Sequence, residues 1–306
     1  MGRDKSLAET VRELEEWARR ESSRLAGFVE ESERLAITYT GLGIIPARIF
    51  SSYLYVLSPN KNILSGCIDT VTYHIAPYTE DTSVVLFSEK GVENSIVRLM
   101  DTVYYTGNKL LMVSPKPAEY VERRQRNTVF IETPYDNTVL AETLLAVQAG
   151  YRIALRYRES GDRELRFNRL RIELADFSSI IGELASIYSA ELASIKAGMD
   201  KIDAIIYTPT MEPVAYLLQM VVAERTGRII PVIDVTRTIR VFDERLTRNQ
   251  LYVLASTTVE EYSVRELLFK ARMNRSQVIE LKIKTDPLTA PVYGLFIVEI
   301  LRANNI

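Results

Sequence analysis

Two stretches of this 306-residue chain combine residue types that could hold a small anion. Thr40-Gly41-Leu42-Gly43-Ile44-Ile45-Pro46 follows an apolar run and leads into a helical pattern, and Ser88-Glu89-Lys90-Gly91-Val92-Glu93-Asn94-Ser95 does the same. Where a strand runs into a helix, the first amides of the helix lack partners and face outward, so such a loop can receive a negative group. Gly41 and Gly43 shape the first loop, for which a tight turn is the plain alternative. The second offers a hydroxyl at Ser88, an ammonium at Lys90 and free backbone amides from Gly91 onward, with Ser95 in the helix that follows. Glu89 and Glu93 oppose that use, since each would repel an anion by about 2 kcal/mol at roughly 7 Å in a medium of effective dielectric about 20. Both could instead point outward, because the dipole of the helix start favours a carboxylate there. A later loop, Ser256-Thr257-Thr258-Val259-Glu260, carries more hydroxyls and also reads as an ordinary helix cap, with Glu261 three residues after Thr258 like the acid of a capping box.

Other chemistries are excluded or weakened by the same inventory. Gly41-Leu42-Gly43 lacks the third glycine of a dinucleotide fingerprint, and no strand-terminal acid follows about 20 residues later. The single histidine, His74, lies in a strand-like stretch, Thr72–Ile75, and reads as a core or strand-edge residue with no nucleophile motif beside it. One cysteine, Cys67, allows no internal disulfide, and one histidine cannot build a zinc cluster. Asp200, Asp203, Glu212 and Asp234 do not recur at ligand spacing, so neither a metal nor any other cofactor is expected. A net charge of -2 argues against nucleic acid as a partner. No apolar run approaches the roughly 18 residues that span a bilayer, and the amino terminus lacks a secretory core. A cytoplasmic protein is expected. Arg outnumbers Lys, Gln is scarce and Ile is common, a balance that points to a heat-adapted source.

The elements that must position these loops alternate along the chain. Leu7, Val11, Leu14 and Trp17 form one face of an opening helix. Strand-like runs at Leu35–Thr40, Ser83–Ser88, Lys109–Val113 and Thr128–Ile131 are separated by helical patterns at Pro46–Leu57 and Val92–Tyr105 and followed by Thr138–Tyr157, whose buried side carries Leu140, Leu144, Leu145 and Val147. That alternation predicts a parallel sheet covered on both faces. The arginine-rich stretch from Arg156 to Arg171 marks a boundary, and Phe177–Ala197 is expected to be one helix. Tyrosines such as Tyr53, Tyr55, Tyr104 and Tyr105 fall on helices as core or dimer contacts.

An internal repeat at an offset of about 168 residues ties the halves together. Tyr39-Thr40 recurs as Tyr207-Thr208, Pro46 recurs near Pro213, Ser83–Ser88 aligns with Leu251–Ser256, and Lys109–Val113 aligns with Gln277–Leu281. The expected organisation is a helical segment over 1–34, an α/β domain over 35–158, a linker and bridging helix over 159–200, and a second α/β domain over 201–306.

A strand, a Gly-x-Gly loop, a helix, then a strand ending in Ser-x-x-Gly, a helix and another strand, all occurring twice, resembles the sugar isomerase (SIS) domain family. The likeness is to its tandem type, found in the isomerase half of glutamine–fructose-6-phosphate aminotransferase and in archaeal phosphosugar isomerases. It implies two flavodoxin-like subdomains over roughly residues 30 to 302, a homodimer, and a sugar phosphate as ligand. It places the phosphate on the second loop, where Ser88 and Gly91 match the family's Ser-x-Ser-Gly-x-Thr and Lys90 and Glu93 replace its other hydroxyls. Ile45 replaces the serine of the first loop. The resemblance also implies a carboxylate base at Glu224, which a solvated last-turn residue before Gly227 would equally explain. The family's ring-opening histidine would fall near Ile239-Arg240-Val241, where none stands, and its carboxyl-terminal lysine has no counterpart in Leu301–Ile306. Cys67 lies inside the first repeat, so no glutaminase activity is expected. The implied function is a phosphosugar-binding protein whose isomerase chemistry is altered or lost; the alternative is a non-catalytic metabolite sensor or assembly scaffold.

Overall fold

The computed structural model describes residues 5–58, 61–123, 127–134, 136–156, 164–243 and 249–303. It divides into two compact units, one of residues 10–176 and the other of residues 1–9 with 177–306. Each is an α/β unit built on a parallel sheet, as the alternation of strand and helix patterns predicts.

The unit of residues 10–176 carries five strands, β1 (Arg34–Thr40), β2 (Asn62–Ser65), β3 (Thr82–Ser88), β4 (Lys109–Ser114) and β5 (Thr128–Glu132), in the order β2-β1-β3-β4-β5. Its helices are α1 (Leu7–Glu30, nearly all of it in this unit), α2 (Ile44–Leu57), the single turn α3 (Ile68–Thr70), α4 (Asn94–Tyr105), the short α5 (Glu119–Glu122), α6 (Thr138–Arg156) and α7 (Glu164–Glu173). β1, β3 and β4 are buried on both faces, which is why they read as continuous apolar runs without alternation. Ala36, Val84, Leu86, Leu110 and Met112 meet Ile96, Leu99 and Val103 of α4 on one face. Phe50 of α2 meets Phe87 of β3 edge to face on the other, with ring centroids 5.9 Å apart. Val11 and Leu14 lie on the buried face of α1, as the spacing predicts, but Ala18 and Leu25 complete that face while Leu7 and Trp17 are only partly buried; Arg24 on the same helix donates to the Phe130 carbonyl of β5 at 2.8 Å.

The other unit has β6 (Ile202–Tyr207), β7 (Val232–Asp234), β8 (Leu251–Thr257) and β9 (Gln277–Ile283) in the order β7-β6-β8-β9, with α8 (Ile181–Ile187), α9 (Ser189–Gly198), α10 (Glu212–Thr226), α11 (Val235–Asp243), α12 (Glu261–Met273) and α13 (Ala290–Ala303). Ile206 and Leu254 pack with Val264 and Leu267 on one face. Phe177 stacks edge to face on Phe296 of α13 at 5.7 Å.

The four strands of the second sheet follow the order of β2, β1, β3 and β4 in the first, with the same register at the matched pairs. Tyr39 pairs with Phe87 and Tyr207 with Ala255; Ser83 pairs with Lys109 and Leu251 with Gln277, so each partner in the second sheet lies 168 residues after its counterpart.

Several expectations change. Thr72–Ile75 is not a strand: Val71–Ile75 forms a π-helical turn, anchored by Thr72 Oγ1 donating to the Ile68 carbonyl at 2.8 Å, and His74 on it is exposed rather than in the core. Local β-branched composition lost to that turn because Val71 is buried beneath α4. α4 begins at Asn94 rather than Val92, since Glu93 is extended. Phe177–Ala197 is two helices, broken at Tyr188, whose phenol donates to the Lys282 carbonyl at 3.2 Å and accepts from the Lys284 amide at 3.3 Å. Both helices belong to the compact unit that begins at Phe177, where the expected linker over 159–200 is thereby divided; the part of the Arg156 to Arg171 stretch at 157–163 lies outside the described residues, as do Asn304–Ile306. Tyr104 and Tyr105 touch each other with ring centroids 5.4 Å apart, and Tyr105 is exposed, while Tyr53 is fully buried as expected. Among the described residues, no helix is long and apolar enough to cross a membrane.

Gly43 is a point where the fold tolerates no side chain. A Cβ built there would stand 2.2 Å from the Phe87 carbonyl oxygen, and backbone cannot rotate away as a side chain can. Gly43→Ala is expected to lower stability by about 1–3 kcal/mol in chemical unfolding, whereas Gly107→Ala, at a turn with open space but positive φ, measures backbone strain alone.

Candidate functional site

The carboxyl edge of the first sheet is where β1 and β3 deliver their chains into α2 and α4. Thr40 closes β1, Gly41–Gly43 makes one tight 3-10 turn, and α2 follows; Ser88 closes β3, and residues 89–93 form the loop before α4. Thr40 and Ser88 are paired in the sheet register, which brings their hydroxyls together.

The Ser88 hydroxyl is fully committed. It accepts from Thr40 Oγ1 at 2.9 Å and from the Gly91 amide at 2.9 Å, and donates to Glu93 Oε2 at 3.3 Å. One donor and two acceptors exhaust a hydroxyl. Gly91 has φ +66, which lets its amide turn back to Ser88. The first-loop amide is taken as well: Leu42 N donates to Glu89 Oε2 at 3.1 Å, and Glu93 Oε2 accepts from its neighbour, the Val92 amide, at 3.1 Å. At Gly41, with φ +53, an added Cβ would come within 2.8 Å of that Glu89 oxygen, so the carboxylate is packed directly on the turn. Glu89 and Glu93, for which an outward orientation was one expectation, both face the loops.

Of the expected ligand residues, the structure brings Gly41, Gly43, Ser88 and Gly91 to one place. Ser95 stands half-buried in the first turn of α4. Lys90 is exposed, with no hydrogen bond or ion pair among the described residues. Glu224 lies in the last turn of α10, about 18 Å along the helix from its start at roughly 1.5 Å per residue, half-exposed and ion-paired to Arg302 of α13 at 2.8 Å. That placement makes it a link between two helix ends in its own unit, with Gly227 (φ +68) closing the helix behind it.

One residue of the site escaped the sequence reading. Glu142 of α6 is completely buried, and neither carboxyl oxygen has a hydrogen-bond partner of ordinary geometry. Its pKa is pushed well above the ordinary 4.5, first by burial and then by the charges of Glu89 and Glu93, with the Ser88 amide near enough to offset part of the rise. The available signal was its isolation: it is the one charged residue between Asp136 and Arg152, in a run that is buried almost all round.

The second sheet repeats the arrangement with different residues. Glu260 Oε1 accepts from the Thr210 amide at 3.0 Å, and its Oε2 accepts from Thr257 Oγ1 at 2.7 Å and from Thr208 Oγ1. Thr210 occupies the position that Leu42 holds in the first copy of the repeat, but Glu260 corresponds to Val92 and not to Glu89. Two glutamates from different loop positions thus reach the same amide. The capping-box acid expected at Glu261 is elsewhere: Glu261 pairs with Arg265 at 3.0 Å and with Lys282 at 3.8 Å, and Glu260 does the bridging. The neighbouring Tyr207 phenol is pushed up to about 12, mainly by burial and then by Glu212, so it stays protonated at neutral pH.

Among the described residues, no group of three or more His, Cys, Asp and Glu side chains has the geometry to hold a metal ion. The opposite, amino edge of the first sheet holds a cleft of about 560 Å³ lined by Glu31, Arg34, Glu80, Asp81 and Lys109, where no helix presents its amides.

No family model and no curated protein matches the chain. Solved structures do match in fold. The C-terminal domain of glucosamine-fructose-6-phosphate aminotransferase from Francisella tularensis superposes with a TM-score of 0.69 at 10% identity, covering 99% of this chain and 96% of that one. Tagatose-6-phosphate ketose/aldose isomerase from Escherichia coli gives 0.65 at 14% identity over 96% and 90% of the two chains. Glucosamine-6-phosphate deaminase from Thermotoga maritima gives 0.63 at 12% identity over 96% and 93%. The chain therefore shares the fold of these proteins over 96–99% of its length.

Glu142 gives the site a pH signature. Because its pKa is raised in the folded state, folding is most favourable where both states hold the proton, and stability is lost as pH climbs from about 4.5 toward the folded value. Glu142→Gln keeps the shape and removes the ionisation. The variant is expected to melt above wild type at pH 8, with the difference shrinking toward pH 5, in parallel thermal scans. Glu260→Gln should lower stability by about 1–3 kcal/mol, because a bridging carboxylate becomes an amide that must place an N–H among donors.

Proposed function

We propose that this chain is a sugar-isomerase-fold protein without aldose–ketose isomerase activity, serving as a metabolite sensor or assembly scaffold. One observation carries the reading: the carboxylate of Glu89, from the loop where the resemblance would seat the phosphate, is turned onto the Leu42 amide of the facing loop, so that a negative charge already occupies the space between the two loops. A charge-assisted hydrogen bond of this kind contributes about 1.5–3 kcal/mol, and an incoming phosphate would have to displace it while facing Glu93 and Glu142 as well. The Ser88 hydroxyl has no capacity left for a ligand. Glu224, the base that the resemblance implies, is engaged with Arg302.

Sugar-phosphate binding is the second reading, favoured by the fold and by the loop shape that Thr40, Ser88 and Gly91 preserve. The three solved structures are named for enzymes of sugar phosphates, an aminotransferase, an isomerase and a deaminase. Under this reading the ligand must first drive the Glu89 carboxylate off its amide. A homodimer and a cytoplasmic setting accompany either reading as part of the proposal; they rest on the resemblance and on the cysteine usage.

The two readings separate in a pair of measurements. A coupled assay with fructose 6-phosphate, glucose 6-phosphate and glucosamine 6-phosphate is expected to show no isomerisation above background for wild type or for Glu224→Gln; turnover by wild type would overturn the proposal. In thermal scans the same sugar phosphates should leave the wild-type melting point unchanged and raise that of Glu89→Ala by about 2–4 °C. A shift already present in wild type establishes the second reading instead.

A further inference from the structure

α4 and α12 occupy equivalent places in the two copies of the repeat. Their inner faces agree: Ile96, Leu99 and Val103 pack on the first sheet, and Val264, Leu267 and Ala271, each 168 residues later, pack on the second. Their outer faces do not. α4 carries Asn94, Arg98 and Asp101 there, with Tyr105 at its end, and Arg98 donates to the Tyr73 phenol at 3.2 Å. The matching positions of α12 are Tyr262, Glu266, Phe269 and Met273, and the three apolar ones are 87%, 65% and 72% exposed. Their spacing sets all four on one stripe of the helix. Apolar residues scattered singly on a surface need no explanation, but a continuous stripe with two aromatic rings marks a contact. The first copy shows that the fold itself makes no demand for apolar residues at this face.

Charge decides what covers it. Glu266 and Lys270 lie on one flank of the stripe, ion-paired at 3.2 Å, and Glu261 and Arg272 lie on the other, where Glu261 also pairs with Arg265 at 3.0 Å. On both flanks the acid stands toward the start of the helix and the last base toward its end. A helix with that polarity is complementary to a reversed copy of itself. A two-fold axis crossing α12 near Leu268 brings like flanks together, so Glu266 faces Lys270 of the second copy and Glu261 faces its Arg272. The same operation sets Tyr262 against Met273 and brings the two Phe269 rings together at the centre, the aromatic core that protein interfaces favour. A parallel arrangement would instead stack acidic start on acidic start.

We infer that the outer face of α12 is a self-association surface, on which a second copy of this chain seats its own α12 antiparallel. The inference deepens the homodimer that accompanies the reading above and rests on it. Buried aromatic side chains contribute roughly 150–250 Å² each, so two stripes with their flanks come near the roughly 1,000 Å² at which a specific interface begins. A reversible dimer with a dissociation constant on the order of 10 µM is expected from a contact of that size.

Sedimentation velocity of the full chain over about 1–200 µM reads the association directly. Phe269→Glu, at an exposed position, is expected to raise the dissociation constant by roughly tenfold or more. Glu266→Lys alone and Lys270→Glu alone each leave like charges facing across the axis and should associate less than wild type. Both variants lose the ion pair within the helix, yet an equimolar mixture of the two sets a basic flank against an acidic one and should regain the dimer. A wild-type chain that is monomeric throughout removes the homodimer itself and this surface with it. A wild-type dimer undiminished by Phe269→Glu, or a mixture no more associated than its components, overturns this surface alone.

Discussion

A parallel sheet that feeds helices from its carboxyl edge leaves unpaired amides pointing out of that edge, and something electronegative must meet them. In this chain the protein supplies it. The Leu42 amide is met by Glu89 and the Thr210 amide by Glu260, although the two acids come from different positions of the repeat. Had the two glutamates been inherited together from a duplicated ancestor, they would occupy matching positions. Their mismatch indicates that the amide itself sets the requirement, and that each loop answers it with whichever carboxylate can reach. Gly41 and the closely packed Gly43 allow the approach, because any side chain there would strike Glu89 or the Phe87 carbonyl.

That solution has an electrostatic cost, which falls on Glu142. With Glu89 and Glu93 drawn inward to serve amides and Ser88, the buried carboxyl of Glu142 cannot ionise cheaply, and the nearby Ser88 amide offsets only part of that cost. The Ser88 hydroxyl, spent on Thr40, Gly91 and Glu93, has no donor left for that carboxyl. Sites that keep an unsatisfied buried acid against the tendency of folding to remove it are candidates for function. Here burial and the two neighbouring carboxylates favour the protonated, neutral form of Glu142.

Much of the architecture was readable from residue order. Strands such as Ser83–Ser88 and Lys109–Val113 are short apolar runs bounded by polar residues, and burial on both faces of a sheet is the usual cause of such a pattern. The 168-residue offset survives as pairing register because strand pairing fixes relative position residue by residue. Elements held by long-range contacts were less legible. β2 is four residues at a sheet edge, too short to show a period, and Val71–Ile75 turns helical because Val71 is buried in the core beside Ile68 and β1. Tyr188 breaks a helical stretch because its phenol is tied to residues some 94 positions away.

The sequence by itself determined the fold class, the repeated strand-to-helix loops, and the presence of Ser88, Gly91, Glu89 and Glu93 at one of them, since these follow from local periodicity and from residues adjacent in the chain. Only the tertiary structure decided how those groups are spent. Hydrogen-bond saturation of Ser88, the seating of Glu89 on an amide 47 residues distant, the pairing of Glu224 with Arg302 and the burial of Glu142 all depend on which atoms lie within about 3 Å of one another. Distances of that kind are fixed by packing between elements remote in sequence, and no local pattern encodes them.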